Sequence, residues 1–466
     1  MKIGLEVHVQ LRTQTKLFCG CPNKFVSEPN TQVCDYCLGM PGTKPRVNRA
    51  ALDFAILIGT ALDCKISSPT YFSRKSYFYP DMGKNFQITQ YEVPIAHGGH
   101  VKLGTKQINI TRIQLEEDPA RIVHSGGQAH DDQGRRSSFG SGYVLVDYNR
   151  SGVPLCEIVT DPDFESPKEA REFLQKLSSI LEYLGVYDPN VEGSMRVDAN
   201  ISLGPSRVEI KNISGFKDVE KALNYEAVRQ KNMLRRGQKI ARETRGWDDV
   251  AGVTRSQRTK EEEEDYGYIF EGDLPKFNFT SDKLEKLKNA IPELPDQKVK
   301  RYVREMKIPE ELAVSIVSEP DLAEAFEKIA ARTDRQLAAK WFAGEIKKTL
   351  NFNNLRWKDS KLTVEGVSRL LEMVQRKAVT DHTAEMMLRD MAVKQVNPEE
   401  NIQTRIYDED SINDAIQEVL GSNTKAVVDY KSGKQEAFNF LVGQVMRKTQ
   451  GRGDPDTIRN LLKKLI

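Results

Sequence analysis

Ile3-Gly-Leu-Glu-Val-His-Val9 opens the chain in strict alternation. Successive side chains of an extended strand point to opposite faces. Ile3, Leu5, Val7 and Val9 therefore share one face, and Glu6, His8 and Gln10 share the other. This predicts a sheet with one buried apolar face and one face offering a carboxylate and an imidazole two residues apart. Similar runs recur at Gln107-Ile-Asn-Ile-Thr-Arg-Ile-Gln-Leu115, Tyr143-Val-Leu-Val-Asp147, Cys156-Glu-Ile-Val159 and Met195-Arg-Val-Asp-Ala-Asn-Ile201, with turn residues between them. Helical patterns interrupt them at 48–62 and 167–184. In the second, Ser166 is the expected N-cap before Pro167. The first part of the chain thus reads as α+β around one large sheet.

Beyond about residue 281 the apolar period changes to 3.6. Leu284 and Leu287, Leu312 and Ile316, Leu322 and Phe326, and Leu370 and Met373 mark successive amphipathic helices. At roughly 100–200 residues per domain, 466 residues make two to four domains. We expect boundaries near 1–285, 286–405 and 406–466, the last unit starting around Asn397. The stretch 125–142, rich in Gly, Ser, Gln, Asp and Arg, reads as a long loop, and Glu261–Asp265 as a solvated acidic face. The total charge, 69 basic against 67 acidic, is only +2, which excludes a polycationic coat protein. Nine basic and four acidic residues from Gly421 to Ile466 nevertheless give that segment +5, suited to a phosphate backbone. The opening residues lack a signal peptide's apolar run, and no stretch approaches 18 apolar residues. With only six cysteines, a reducing cytoplasmic compartment and no membrane are expected.

Four of those cysteines are clustered as Cys19-Gly-Cys21 and Cys34-Asp-Tyr-Cys37. Two short knuckles supplying four thiolates have the spacing of a structural zinc site with no open position. Cys64 and Cys156 stand alone and read as small buried hydrophobes.

Acidic residues inside apolar strands need a reason. Glu6 and His8 share a face; Glu116, Glu117 and Asp118 end a strand; Glu157 interrupts another; Glu209 and Lys211 share a face; Asp198 alternates with Val197 and Ala199. A sheet repeatedly offering Glu beside basic residues suits a Mg²⁺–phosphate site, since Mg²⁺ takes one or two carboxylates plus substrate phosphates. The chain has neither a G-x-x-x-x-G-K-[ST] loop nor a G-x-G-x-x-G turn. Any ATP would be held through metal-bridged phosphates and basic residues. Arg74-Lys-Ser-Tyr-Phe-Tyr-Pro-Asp81 adds Lys75, Tyr77 and Tyr79 as candidates for stacking on a nucleotide or tRNA end. There is no evident Ser/His/Asp arrangement.

The ordered set Ile3–Val9, Pro29-Asn-Thr-Gln-Val-Cys34, Cys37-Leu-Gly-Met-Pro-Gly42, Tyr77-Phe-Tyr-Pro-Asp81, Leu115-Glu-Glu-Asp118, Asp147-Tyr-Asn-Arg-Ser-Gly152, Glu157-Ile-Val, Arg196-Val-Asp-Ala-Asn200, Glu243-Thr-Arg245 and Asn439-Phe-Leu-Val-Gly-Gln444 resembles the B subunit of the tRNA-dependent amidotransferases. The likeness covers essentially the whole chain. It implies a glutamine-synthetase-like cradle, a helical domain and a small YqeY-like tail that touches tRNA. It implies ATP-dependent phosphorylation of the side-chain carboxylate of Glu-tRNA(Gln) or Asp-tRNA(Asn), followed by displacement by ammonia. Glu6, His8, Glu117 or its neighbour Glu116, Glu157 and Glu209 would be Mg²⁺ ligands or lie close to the metals. Asn149, Arg150, Arg196, Asp198, Lys211 and Arg245 would bind nucleotide or substrate. The implied partners are an amidase A subunit and a small C subunit in a heterotrimer, misacylated tRNA, and a non-discriminating aminoacyl-tRNA synthetase. Two other readings are a catalytically silent tRNA-binding scaffold and a free-standing ligase related to glutamine synthetase. The strand carboxylates argue against the first and the basic tail against the second.

Overall fold

The computed structural model describes residues 1–125, 143–259, 267–394, 409–449 and 455–466. The loop expected at 125–142, apart from Ser125, the acidic run Glu261–Asp265 and the start of the third unit at Asn397 lie outside them. The described chain divides into two compact units, Met1–Leu294 and Pro295–Ile466.

The first unit is built on the alternation of β1 (Lys2–Gln10). Its odd residues from Ile3 to Val9 are buried and its even residues from Glu6 are half-buried. Around it stand β2 (Lys65–Ile66), β3 (Ser73–Ser76), β4 (Phe86–Thr89), β5 (Ala96–Leu103), β6 (Lys106–Glu117), β9 (Pro154–Thr160), β10 (Met195–Ser202), β11 (Val208–Ile213), β12 (Glu243–Asp248), β13 (Val253–Thr259) and β14 (Gly267–Phe270). These twelve strands form one sheet in the order β13-β12-β11-β10-β1-β9-β6-β4-β3-β14, with β5 on β6 and β2 on β5. Among the described residues, only its pairing of β11 with β12 is parallel. A separate two-stranded ribbon joins β7 (Arg121–Ser125) to β8 (Tyr143–Asp147).

Helices α1 (Arg49–Ala61), α2 (Pro167–Tyr183) and α3 (Phe216–Arg235) give fully buried residues to the apolar core. Asn48 caps α1 by accepting from Ala50 N, and Ser166 caps α2 by accepting from Glu169 N, with Pro167 in the first turn. Phe173, Leu174 and Leu177 of α2 join Val219, Ala222 and Leu223 of α3 and the apolar side chains of β1 and β10 in one core. Helix α4 (Ser281–Asn289) closes this unit. Leu284, Leu287 and Leu294 pack against this first core, so the compact unit continues to Leu294.

The second unit is helical throughout its described residues, from Pro295–Met306 to Pro455–Leu465. It has two cores. One gathers Tyr302, Phe326, Phe342, Leu370 and Leu388, and a smaller one Ile412, Phe438, Leu441 and Leu462. No helix among the described residues is long and apolar enough to cross a membrane.

The two faces of β1 should respond oppositely to truncation. Leu5, 1 % exposed, replaced by Ala should cost about 3 kcal/mol through lost burial and a cavity. Glu6→Gln, isosteric on the other face, should change stability by less than about 1 kcal/mol. Urea unfolding of the two variants measures both.

Candidate functional site: two acidic trios and a thiolate cluster on the first unit

Antiparallel register places the polar residues of five strands together. Glu6 lies opposite Asp198 and His8 opposite Arg196 across β1 and β10, while His8 faces Glu157 across β1 and β9. Glu157 faces Gln114 on β6, and Asn200 faces Glu209 on β11. All sit on the side of the sheet away from the α2–α3 core, because each alternates with a core residue.

Two groups of possible metal ligands result: His8, Glu116 and Glu157, and Glu6, Asp198 and Glu209. Within each, one ligand atom per residue lies within 4.8 Å of the others. His8 Nδ1 is 3.0 Å from Glu116 Oε1, and Gln114 Nε2 donates to Glu157 Oε2 at 2.6 Å. In the second group, Asn200 Nδ2 donates to Glu6 Oε1 at 2.9 Å and Thr244 Oγ1 to Glu209 Oε2 at 3.0 Å. Lys211 Nζ reaches Asp198 at 3.3 Å and Glu209 at 3.7 Å. Beside Glu6 a cavity of about 230 Å³ opens, lined also by Thr160 and Asn200, with Lys2 and Arg207 among its walls. Five carboxylates and one imidazole form a donor set for hard divalent cations.

The electrostatics match that crowding. Burial alone would lower the pKa of His8, but the hydrogen bond and charge of Glu116, then the charges of Glu157 and Asp198, raise it to about 9. Burial, reinforced by the charge of Glu116, lifts Glu157 to about 7. Glu116 itself goes down: burial opposes ionisation, but the bond to His8 and the charges of His8, Lys75 and Arg196 outweigh it.

The three acids at and just past the end of β6 part company. Glu116 shares its face with Gln114. Glu117 shares the face of Ile113 and Leu115, so it points into the margin of the core, 1 % exposed. There Lys84 Nζ lies 2.6 Å from both its oxygens, Tyr36 Oη donates at 3.2 Å and Ile88 N at 2.9 Å. Glu117 is therefore apart from both trios, and Glu116 holds the position beside His8. Asp118 receives Arg196 Nη2 at 2.7 Å and also Arg150 Nε.

Other expected binding residues disperse. Asn149 ties down the loop before the knuckle, accepting from Gln32 N and donating to Glu28 O, both at 2.7 Å. Arg245 points to the α3 side, where it donates to Thr254 Oγ1 and Glu243 Oε1, each at 2.9 Å, and pairs with buried Glu226 at 3.5 Å. Tyr77 and Tyr79 meet edge to face, with centroids 5.9 Å apart. Burial first, then the charges of Asp81 and Glu116, raise the Tyr77 hydroxyl. Tyr79 is exposed. Among the expected positions, Lys75, Arg196 and Lys211 stay close to the acids.

The four cysteine sulfurs converge within 4.8 Å of one another. Cys37 Sγ lies 3.6 Å from Cys19, 3.8 Å from Cys34 and 3.8 Å from Cys21. A tetrahedral ion with bonds of about 2.3 Å requires sulfurs about 3.8 Å apart. Lys16, fully buried, donates to Cys37 Sγ at 3.3 Å, to Gln32 O at 2.9 Å and to Tyr148 O at 3.3 Å. The hydrogen bond from Cys19, with the charge of Lys16, pulls Cys37 down to about 4 against its burial, while Cys19 is raised. Cys156 is buried in the core and Cys64 half-buried.

Sequence reasoning missed Lys16, Tyr36, Lys84 and Gln114. The parity of Gln114 with Glu116 was the one signal available for any of them.

With this geometry in hand, the relatives decide the family. Residues 1–285 match the GatB/GatE catalytic domain and residues 324–466 the GatB domain. The chain belongs to the GatB/GatE family. It is 45 % identical to the B subunit of the aspartyl/glutamyl-tRNA(Asn/Gln) amidotransferase of Methanospirillum hungatei, over 100 % of this chain and 98 % of that one. The corresponding protein of Haloquadratum walsbyi is 42 % identical over 100 % and 96 %, and that of Caldanaerobacter subterraneus 40 % over 99 % and 98 %.

The His8–Glu116 pair makes stability depend on pH. In buffer free of divalent cations, His8 with a raised folded pKa contributes fully below its unfolded value near 6.5, and the contribution disappears as pH rises through about 9. Its size is on the order of 3 kcal/mol. Glu157, also raised, adds a loss between about 4.5 and 7. The difference in urea midpoint between wild type and His8→Asn should shrink from pH 6.5 to 9. A constant difference would overturn the assignment.

Proposed function

We propose that this GatB/GatE-family chain is the B subunit of a tRNA-dependent amidotransferase. On this reading it phosphorylates the side-chain carboxylate of Glu-tRNA(Gln) or Asp-tRNA(Asn) with ATP and exchanges the phosphate for ammonia. The observation that carries the reading is the pair of acidic trios set side by side on the open face of β11, β10, β1, β9 and β6.

A carboxylate is a poor acyl donor because oxide leaves badly, and phosphorylation supplies a leaving group. Mg²⁺, held by His8, Glu116 and Glu157 and by Glu6, Asp198 and Glu209, would neutralise the charge that builds on the transferring phosphoryl. Lys75, Arg196 and Lys211 add fixed positive charge around the phosphates. Asp118 holds Arg196, whose charge acts on Glu116, and Gln114 orients Glu157. No protein nucleophile is required. Zn²⁺ in the four-cysteine cluster, its negative charge offset by Lys16, would be purely structural.

By family likeness the cradle has the glutamine synthetase architecture, the small C-terminal core is the YqeY-like tRNA-binding part, and the division falls at about 406. Ammonia would come from glutamine on an amidase A subunit, with a small C subunit completing a cytoplasmic heterotrimer.

The test is the reconstituted complex assayed with each mischarged tRNA. Glu116→Gln and Glu157→Gln should each lower ATP-dependent amidation by about a hundredfold or more while leaving tRNA affinity near wild type. Full activity in both would refute the assignment. Purified protein should carry one zinc per chain, and folded material without it would exclude the structural ion. Deleting the chain from about 406 should weaken tRNA binding without abolishing ATP hydrolysis.

A further inference from the structure

The cysteine cluster and the His8 trio are joined by a short path of buried contacts. Tyr36 stands between Cys34 and Cys37 in the knuckle, and its hydroxyl donates to Glu117 at 3.2 Å. Lys84 Nζ spans the same pair, 2.9 Å from Tyr36 Oη and 2.6 Å from both Glu117 oxygens, and lies 4.2 Å from the centre of the Tyr36 ring. Glu117 follows Glu116 directly in β6, and Glu116 holds His8.

The backbone repeats the connection. At Gly39, with φ of +67°, an added Cβ would fall 2.6 Å from Gly83 C and 2.8 Å from Lys84 N; at Gly83 it would fall 2.8 Å from Leu38 O. The knuckle therefore rests directly on the peptide that carries Lys84. On the other side, Ser151 Oγ donates to Cys37 O at 3.2 Å, and Gly152 N to Asp118 O at 2.9 Å. The end of β6 is thus braced from the knuckle on two sides.

We propose that Tyr36 and Lys84 are positioning residues that act through Glu117 to hold Glu116 against His8, so that divalent-cation binding at the His8 trio depends on an intact cysteine cluster. The inference rests on the reading of His8, Glu116 and Glu157 as a cation site. Glu117, between Glu116 on the open face and the core, is the one of the three consecutive acids that reaches the knuckle side chains through Tyr36. Outer residues that orient ligands typically weaken metal binding about ten- to a hundredfold when changed.

Mn²⁺, a hard cation with the coordination of Mg²⁺, is the probe, titrated into the full chain with free Mn²⁺ followed by electron paramagnetic resonance. Tyr36→Phe keeps the ring and removes one hydroxyl. Lys84→Met with Glu117→Gln removes the ion pair without leaving a buried charge. Cys21→Ser opens the cluster. Each should raise the dissociation constant of the His8-dependent site about tenfold, with the circular dichroism of the wild type retained. Wild-type Mn²⁺ affinity in both Tyr36→Phe and the double variant, in a protein whose His8→Ala form has lost the site, overturns the coupling alone. Weakening by Cys21→Ser only would overturn Tyr36 and Lys84 as the route. Failure of the wild type to bind Mn²⁺ through His8 would bring down the cation site and this inference together.

Discussion

Everything in the first unit depends on the placement of β1 between two antiparallel neighbours. Its register sets Glu6 against Asp198 and His8 against both Arg196 and Glu157. A slip of β1 by one residue would turn Glu6 and His8 into the core and bring Leu5 and Val7 out. The apolar face, closed by α2 and α3, therefore specifies the acidic face as firmly as it specifies itself. Burying carboxylates at this density is costly unless they are paired. The protein meets that cost with His8 beside Glu116, Lys211 beside Asp198 and Glu209, Arg196 on Asp118 and Gln114 on Glu157.

Glu116, Glu117 and Asp118 show how one strand end can organise three regions. Alternation sends the first to the open face and the second to the core margin. The third, where the strand stops, collects Arg150 and Arg196. A run that looks like one acidic patch is three separate electrostatic commitments. The near-neutral total charge conceals a similar division, with acids concentrated on the sheet and an excess of five positive charges in residues 421–466.

Much of the fold was legible in the sequence because a one-sided sheet writes its period into the chain. The strands around Glu6, Glu157 and Asp198 and the caps Asn48 and Ser166 all follow from local patterning. The cysteine spacing was equally direct, since four soft ligands in two short knuckles leave few alternatives. The choice between Glu116 and Glu117 could also have been made from parity with Ile113 and Leu115, which places Glu117 on the core side.

Other roles were beyond local reading. Arg245 and Lys211 each lie near a strand carboxylate in sequence, yet one serves the α3 side and the other the acids. That outcome depends on which strand pairs with which. Lys84, Tyr36 and Lys16 carry no motif, and their roles exist only where the knuckle, β4 and β6 meet. The sequence by itself determined which residues form strands and which face each takes, because alternation and capping are set by neighbours a few positions away. Only the tertiary structure decided which carboxylates gather into trios of possible cation ligands and which are spent on ion pairs. That depends on strand order and register, which are set by contacts between residues as far apart as His8 and Glu116.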